Sequence, residues 1–471
     1  MARVVPGLVL CLLGAGCAQV GGGASSDSSS AAAPVLQSLQ PAVGPTTGGD
    51  LVTIRGQNFP KDALVRWNGV LGTNIKVVSA TEITALLPAS ASVGKVKVSV
   101  TASDGREAAR EDLFAYYYGQ IDFGDQTSLA TGSAPTDLRV ADLDGDKLLD
   151  IVTANSNDSS LSLFVGQAGG LYGSATRIAL PSNPEGLTAA DIDGDSKLDL
   201  LITASSTNRL YTLRNTGMSG AGLFALAATT TTGTSPVAVT TADLNGDGKP
   251  DGIIANRNGN SLSVLMNKGS ATWDNPTTVN TATQPAGLAV GDVNKDGRPD
   301  VVVSSYQDGT VQLFLNNGSG GLMGSGQALM VGGGARGVNL FDFNGDGLLD
   351  LSAICENSGG AAVLLGQSGG AFASAQSYTS GSYPSMALTE DLNGDGRADL
   401  IVLNGGSRGT IVILPGQGDG TFVAGDSVQR ISLALSPSAF ASGDVDGDGK
   451  RDLVIIGQAA NQAIVLRNKS H

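Results

Sequence analysis

The sequence predicts an all-β protein: a seven-bladed β-propeller preceded by a small β-sandwich. Three observations carry this expectation. A nine-residue acidic pattern, Asp-x-Asp/Asn-x-Asp-x-x-x-Asp, occurs seven times, beginning at Asp142, Asp191, Asp243, Asp292, Asp342, Asp391 and Asp444, at intervals of 49 to 53 residues. Self-similarity at such a period is the signature of a repeat architecture. The intervals share an order of four short apolar runs between turn residues, and four strands in each of seven repeats make a propeller. The composition agrees: 67 Gly among 471 residues, with 15% charged residues, describe short strands and tight turns rather than a collagen-like or disordered chain.

Taken in order, the chain opens with Arg3, an apolar run from Val4 to Leu13, and Gly14-Ala15-Gly16 before Cys17. That run is too short to span a bilayer, so residues 1–16 read as a secretory signal peptide rather than a membrane helix. Small residues ahead of a cysteine resemble a bacterial lipoprotein signal, although Gly14 stands where an aliphatic residue is usual. The resemblance implies lipidation at Cys17 and, with Ala18 next, an outer-membrane or cell-surface location. Plain secretion or a periplasmic location, with cleavage near Ala18, is the other reading. The remainder of 17–33 is mostly Gly, Ser and Ala, a flexible tether that cannot bury a core.

Residues 34–117 form a separate unit. Leu51-Val52-Thr53-Ile54 reads as a strand, and the alternation in Lys95-Val96-Lys97-Val98-Ser99-Val100 marks a half-buried one. Several such strands in so short a stretch suggest a sandwich, with Trp67 filling its core or, alternatively, exposed for binding. The segments PAVGPTTGGDLVTIRGQNF, SATEITALLPA and LFAYY resemble an IPT/TIG domain, which implies an immunoglobulin-like module acting as a spacer.

The propeller is expected over 118–471. In each repeat a strand such as Leu138 to Ala141 leads into the acidic loop, a second such as Ile151 to Ala154 leaves it, and a third such as Leu161 to Val165 follows. Runs like Val301-Val302-Val303 are apolar on both faces, as strands packed between two blades should be. Third strands such as Ser261 to Leu265 alternate more. Trp273 is expected in a fourth strand, packing at the rim. Pro135, Pro184, Pro236, Pro285, Pro384 and Pro437 each lie seven residues before the first loop Asp, with Ala335 in that place in the fifth repeat. Proline fixes the chain as it enters the inner strand, which makes the glycine-rich fifth lead-in the expected irregular one. The last repeat ends after a third strand, so Ile121 to Ala130 is expected to complete the seventh blade beside the C-terminal strand and remove an exposed edge.

The acidic loops read DLDGDKLLD, DIDGDSKLD, DLNGDGKPD, DVNKDGRPD, DFNGDGLLD, DLNGDGRAD and DVDGDGKRD. Two carboxylates about 4 Å apart repel by roughly 4 kcal/mol at an intermediate dielectric, so such crowding calls for a cation. Hard oxygen ligands with no His or Cys among them point to calcium or magnesium. A flexible cage of carboxylates and a backbone carbonyl near position 7 suits calcium. The candidate ligands are Asp142, Asp144, Asp146 and Asp150; Asp191, Asp193, Asp195 and Asp199; Asp243, Asn245, Asp247 and Asp251; Asp292, Asn294, Asp296 and Asp300; Asp342, Asn344, Asp346 and Asp350; Asp391, Asn393, Asp395 and Asp399; and Asp444, Asp446, Asp448 and Asp452. Up to seven structural Ca2+ ions are expected. Glycine at position 6 supports the sharp turn, and its replacement by Lys147 and Ser196 marks the first two sites as the weaker binders; Lys295 at position 4 alters the fourth loop.

At these residues the repeats resemble the FG-GAP or VCBS repeats of integrin-like propellers. That resemblance covers residues 119–471 and implies that each loop joins the two innermost strands of a blade and holds a structural calcium.

Composition limits the chemistry further. The only histidine is the terminal His471, which excludes a Ser-His-Asp triad and His-ligated metal centres. Cys355, in an apolar second strand, reads as a buried hydrophobe rather than a nucleophile. The net charge of −15 belongs mainly to the loops and argues against nucleic acid as a partner. What remains is a binding function. The expectation is a calcium-stabilised, lipid-anchored cell-envelope protein acting in adhesion or binding to a surface protein or glycan, touching the membrane only through its anchor. The alternatives are a lyase-like polysaccharide-degrading enzyme and a structural subunit of an envelope complex. On the face opposite the loops, Glu185, Arg257, Tyr306, Arg336, Tyr383 and Arg408 are candidate contacts or else ordinary solvated side chains. The low aromatic content of 4% weakens a sugar-stacking platform.

Overall fold

The computed structural model describes residues 32–91, 93–117, 121–406, 408–425 and 428–470. The expected signal peptide, Cys17 and most of the tether lie outside these residues, as does His471. Among the described residues no helix is long and apolar enough to cross a membrane.

The N-terminal unit holds two four-stranded sheets and a small three-stranded one. Strand Leu51–Gln57 lies between Val35–Gln40 and Glu82–Leu86 in the first sheet, while Leu64–Trp67 pairs with Val98–Thr101 in the second. Trp67 is buried between them and meets Phe114 edge to face, with centroids 6.2 Å apart. The expected strand from Lys95 to Val100 is broken in two. Gly94–Lys95 pairs with Ala115–Tyr117, and the chain changes sheets at Val96, whose N–H donates to the Phe114 carbonyl, before Val98–Thr101 begins. Side-chain alternation runs on through the crossover, so it carries no sign of the break.

Seven four-stranded antiparallel sheets follow, the blades of the propeller. Blade 1 comprises Pro135–Ala141, Asp150–Asn155, Ser160–Phe164 and Thr176–Ala179. The first strands of successive blades touch in an unbroken cycle that returns from Pro437–Gly443 to Pro135–Ala141. All seven second strands, from Asp150–Asn155 to Asp452–Gly457, are buried at every position, because each is sandwiched between its blade's neighbours. Phe123–Ala130 pairs antiparallel with Gln462–Asn468, setting Phe123 opposite Asn468 and Ala130 opposite Gln462. The seventh blade is therefore closed by both ends of the domain, as the repeat phase required.

Three details depart from expectation. Third strands do not alternate in exposure: Ser261–Leu265 is buried throughout, and the Ser261 and Ser263 hydroxyls accept hydrogen bonds from the Asn256 side-chain amide. Trp273 belongs to a small hairpin, Asn267–Gly269 with Thr272–Trp273, ahead of the fourth strand Thr277–Asn280; its Nε1 donates to Thr212 Oγ1 of blade 2 at 2.8 Å. The irregular lead-in is that of blade 2, whose first strand shortens to Leu187–Ala190, leaving Pro184 outside it. The proline-free fifth lead-in keeps the bulge of its neighbours, Ala335/Gly337 matching Pro135/Asp137. The bulge thus resides in the strand pairing and does not need proline.

Candidate metal centres and the opposite face

Each acidic loop joins the first strand of a blade to its second. Within it the first Asp accepts backbone N–H groups: Gly246 and Gly248 donate to opposite oxygens of Asp243 at 2.7 and 2.8 Å, and the Asp342, Asp391 and Asp444 loops repeat this closely. The fifth residue accepts from the seventh, as in Lys249 N to Asp247 Oδ1 at 3.0 Å. Positions 4 and 6 take left-handed backbone in every loop, including Lys147 (φ 72°), Ser196 (φ 67°) and Lys295 (φ 63°). These three side chains are held in a conformation that favours glycine, so the turn itself is retained where glycine is lost.

The ninth residue differs from the rest. Asp150, Asp199, Asp251, Asp300, Asp350, Asp399 and Asp452 are fully buried. One oxygen of each accepts the N–H of loop position 2 and the other the N–H at or just past the end of the third strand; for Asp251 these are Leu244 at 3.0 Å and Asn267 at 2.8 Å. This carboxylate therefore ties loop to strand whatever else it does. Burial pushes the carboxyl of Asp150 and of Asp452 up to about 6, and that of Asp399 up to about 7, against the lowering effect of those same hydrogen bonds.

Carboxylate oxygens of Asp142, Asp144 and Asp146, of Asp191, Asp193 and Asp199, and of Asp444, Asp446 and Asp452 lie within 4.8 Å of one another. These are the three loops with Asp at position 3; Asn245, Asn294, Asn344 and Asn393 supply a neutral oxygen there instead. Asp193 Oδ1 and Asp446 Oδ1 are buried without a hydrogen-bond partner. An orphaned buried carboxylate oxygen is costly, and two of them aimed into oxygen-only clusters fit a hard divalent cation. Basic side chains partly offset the charge: Lys197 pairs with Asp195 at 2.6 Å, Lys249 with Asp247 at 2.9 Å and Lys469 with Asp446 at 2.7 Å. Burial raises Asp446, but the Lys469 ammonium prevails and holds its carboxyl below the usual value.

The sixth loop is covered by the N-terminal sandwich. Val43 and Tyr117 share a cavity of about 390 Å3 with Asn393, Asp395, Arg397 and Asp399. Asp395 is half-buried where its six counterparts are exposed, and burial raises it.

On the opposite face one frame recurs. The residue after the second strand donates its N–H to the carbonyl of the residue before the first strand: Ser156 to Ala134, Arg257 to Ser235, Tyr306 to Gln284, Glu356 to Gly334 and Gly405 to Tyr383, at 2.8 to 3.0 Å. The acceptor residue is left-handed each time, with φ between 54° and 74°. The frame is constant and its side chains are not. Arg257, Gln284, Tyr306, Arg336 and Glu356 enclose a cavity of about 190 Å3, with Arg336 and Glu356 paired at 2.9 Å. That pair also borders a second cavity, about 430 Å3, walled by Tyr383, Ser385 and Gln458. Burial raises the Glu185 carboxyl although Arg257 and Arg336 pull it down. Arg408 is exposed and belongs to neither wall. Gln284 and Glu356 were missed as candidates; both occupy the recurring frame, which an alignment of the seven repeats on their second strands displays.

Residues 34–118 match the IPT/TIG domain, and residues 142–202, 191–254, 243–303, 292–352 and 391–455 match the FG-GAP-like repeat. No curated protein matches the chain. Among solved structures, a functionally unknown protein from Desulfotomaculum acetoxidans DSM 771 is similar at 11% identity and a TM-score of 0.51, covering 66% of this chain and 90% of that one. BBS1N, solved in complex with ARL6DN, is similar at 15% identity and a TM-score of 0.50, covering 74% of this chain and 98% of its own. An auxiliary nutrient binding protein from Bacteroides ovatus ATCC 8483 aligns over 93% of this chain and 98% of its own, at 14% identity and a TM-score of 0.42. At these identities the likenesses concern fold alone. The repeat matches take in more than half of the sequence, and the chain belongs to the FG-GAP-like repeat family, its propeller carried behind an IPT/TIG domain.

Proposed function

We propose that this protein is a non-enzymatic binding module of the bacterial cell envelope, anchored through a lipid on Cys17 and stiffened by calcium in its acidic loops. The observation that carries the binding reading is the recurring frame on the face away from the loops: the same backbone hydrogen bond in five of the seven blades, presenting serine, arginine, tyrosine, glutamate or glycine as the blade changes. Such a surface displays different chemistry from a fixed scaffold, which is how loops on rigid folds recognise ligands. The calcium reading rests on the unpartnered oxygens of Asp193 and Asp446. Bound calcium would neutralise the clustered carboxylates and lock each loop to its blade. The anchor rests on the sequence from Arg3 to Cys17 alone.

The test is a binding screen of the purified protein against polysaccharides and solubilised envelope proteins, with and without calcium. Retention of a glycan or surface protein is expected. Release of oligosaccharide from any polymer would replace this reading with an enzymatic one, and a stoichiometric envelope partner with no glycan binding would make the protein a structural subunit.

A further inference from the structure

We propose that the two adjoining cavities on the face opposite the acidic loops form a two-subsite site for a short acidic oligosaccharide, with a uronate carboxylate on Arg257 and the neighbouring sugar ring on Tyr383. The inference deepens the binding role proposed above and rests on it.

The first subsite is defined by an unengaged cation. Arg257 is half-buried, and its guanidinium forms no hydrogen bond or ion pair with a described side chain. Arg336, across the cavity, is already held by Glu356. A partly desolvated, unpaired arginine is unfavourable in the free protein, and its planar fork matches a carboxylate. The surrounding charges limit what that anion is. Glu356 offsets Arg336, and Glu185 lies near enough to Arg257 to act on it, so a phosphate dianion would meet two carboxylates with little spare positive charge. A monoanion avoids this. The same carboxylates accept hydrogen bonds from hydroxyls, while Tyr306 and Gln284 add a hydroxyl and an amide to the wall. At about 190 Å3 the cavity lies below the roughly 300–1,000 Å3 of drug-sized sites, in the range of one sugar unit. A carboxylate and several hydroxyls in that volume describe a hexuronate.

The second subsite lies directly across the Arg336–Glu356 pair. Tyr383 is 64% exposed and stands at the left-handed position that Ala134, Ser235, Gln284 and Gly334 fill in other blades. The fold therefore asks for no aromatic ring there, and exposing one costs without a partner. An exposed ring beside a cavity lined by Ser385 and Gln458 suits the apolar face of a sugar with polar groups at its edge.

Calorimetric titration of the full chain tests the site, using galacturonate, its methyl ester, galactose, digalacturonate and inorganic phosphate as probes. Digalacturonate should bind more tightly than galacturonate, and esterification should weaken binding at least tenfold. Arg257→Gln should lower affinity for both acids at least tenfold with an unchanged melting temperature, and Tyr383→Ala should weaken only the disaccharide. Should Arg257→Gln melt early, two measurements take its place: Arg257→Lys, which keeps the charge and loses the fork, and the acid-against-ester comparison on the unaltered chain. Equal binding of acid and ester, tighter binding of phosphate, no binding of digalacturonate, or indifference to both substitutions would each overturn the proposal. If Arg257→Gln keeps full binding to a polymer found in the broader screen, the site falls and the binding role stands.

Discussion

Val93 of the sandwich lies so close over Gly394 of the sixth acidic loop that a Cβ on the glycine would stand 2.7 Å from a Val93 methyl carbon. The contact seals one loop out of seven from solvent on one side, and it does so through a branched apolar side chain that a charge would not replace. Val93→Asp is expected to loosen this seat. Amide hydrogen exchange across 391–397 should then rise toward that of the open third loop, 243–249, with the rest of the propeller unchanged. Equal protection in the variant would show that the sandwich does not shield the loop.

Calcium should be visible as stability. Extracellular calcium sites commonly bind at about 0.1–1 mM, and a ligand at a hundred times its dissociation constant adds roughly 2.7 kcal/mol per independent site. Chelation is expected to lower the melting temperature markedly in scanning calorimetry, and added calcium to restore it. An unchanged melt in chelator would remove calcium from the account.

The two kinds of loop carboxylate should separate by mutation. Asp251→Ala strands the N–H groups of Leu244 and Asn267 in the interior, at about 1–3 kcal/mol each, so this variant should be destabilised by about 2–6 kcal/mol even in chelator, and should in addition lose part of its gain from calcium. Asp247→Ala removes an exposed carboxylate whose ion-pair partner is Lys249. In chelator its melting temperature should stay near that of the unaltered chain, while its gain from calcium shrinks. A calcium gain in Asp247→Ala equal to that of the unaltered chain would exclude Asp247 as a ligand.

Cys355 donates its thiol to the Val331 carbonyl at 3.4 Å, and burial pushes the pKa of that thiol up to about 11. A group whose folded value lies above its unfolded one adds stability that is present below pH 9 and lost as the pH rises through about 11. Mass-spectrometric mapping after brief alkylation at pH 8 should find Cys355 unmodified in the native protein and modified once it is unfolded. Rapid native labelling would contradict the burial.

The strand count, the loop positions and the closure of blade 7 were legible because each follows from a period repeated along the chain. The acidic loops mark every first-to-second strand turn, and the phase of the final repeat leaves one strand missing for Phe123–Ala130 to supply. What the pattern hid was non-periodic. Alternation through Lys95 and Val98 continues across a change of sheet, and the serines of Ser261–Leu265 look solvent-facing although Asn256 claims them in the interior. The double tie of the ninth aspartate was equally hidden, because its second partner lies sixteen residues downstream. The pocket around Arg257 gathers residues from separate repeats, so only their shared place in the frame could have announced it.

Because Gln462–Asn468 must arrive before Phe123–Ala130 has anything to pair with, a growing chain is an open stack until the third strand of its seventh blade is made. Six blades can form in sequence during synthesis, yet the seventh waits, and the early strand meanwhile remains an unclaimed edge. A chain cut short before Gln462 would thus lose far more than one strand. It would be left unlatched, with two sticky rims available to a neighbouring copy.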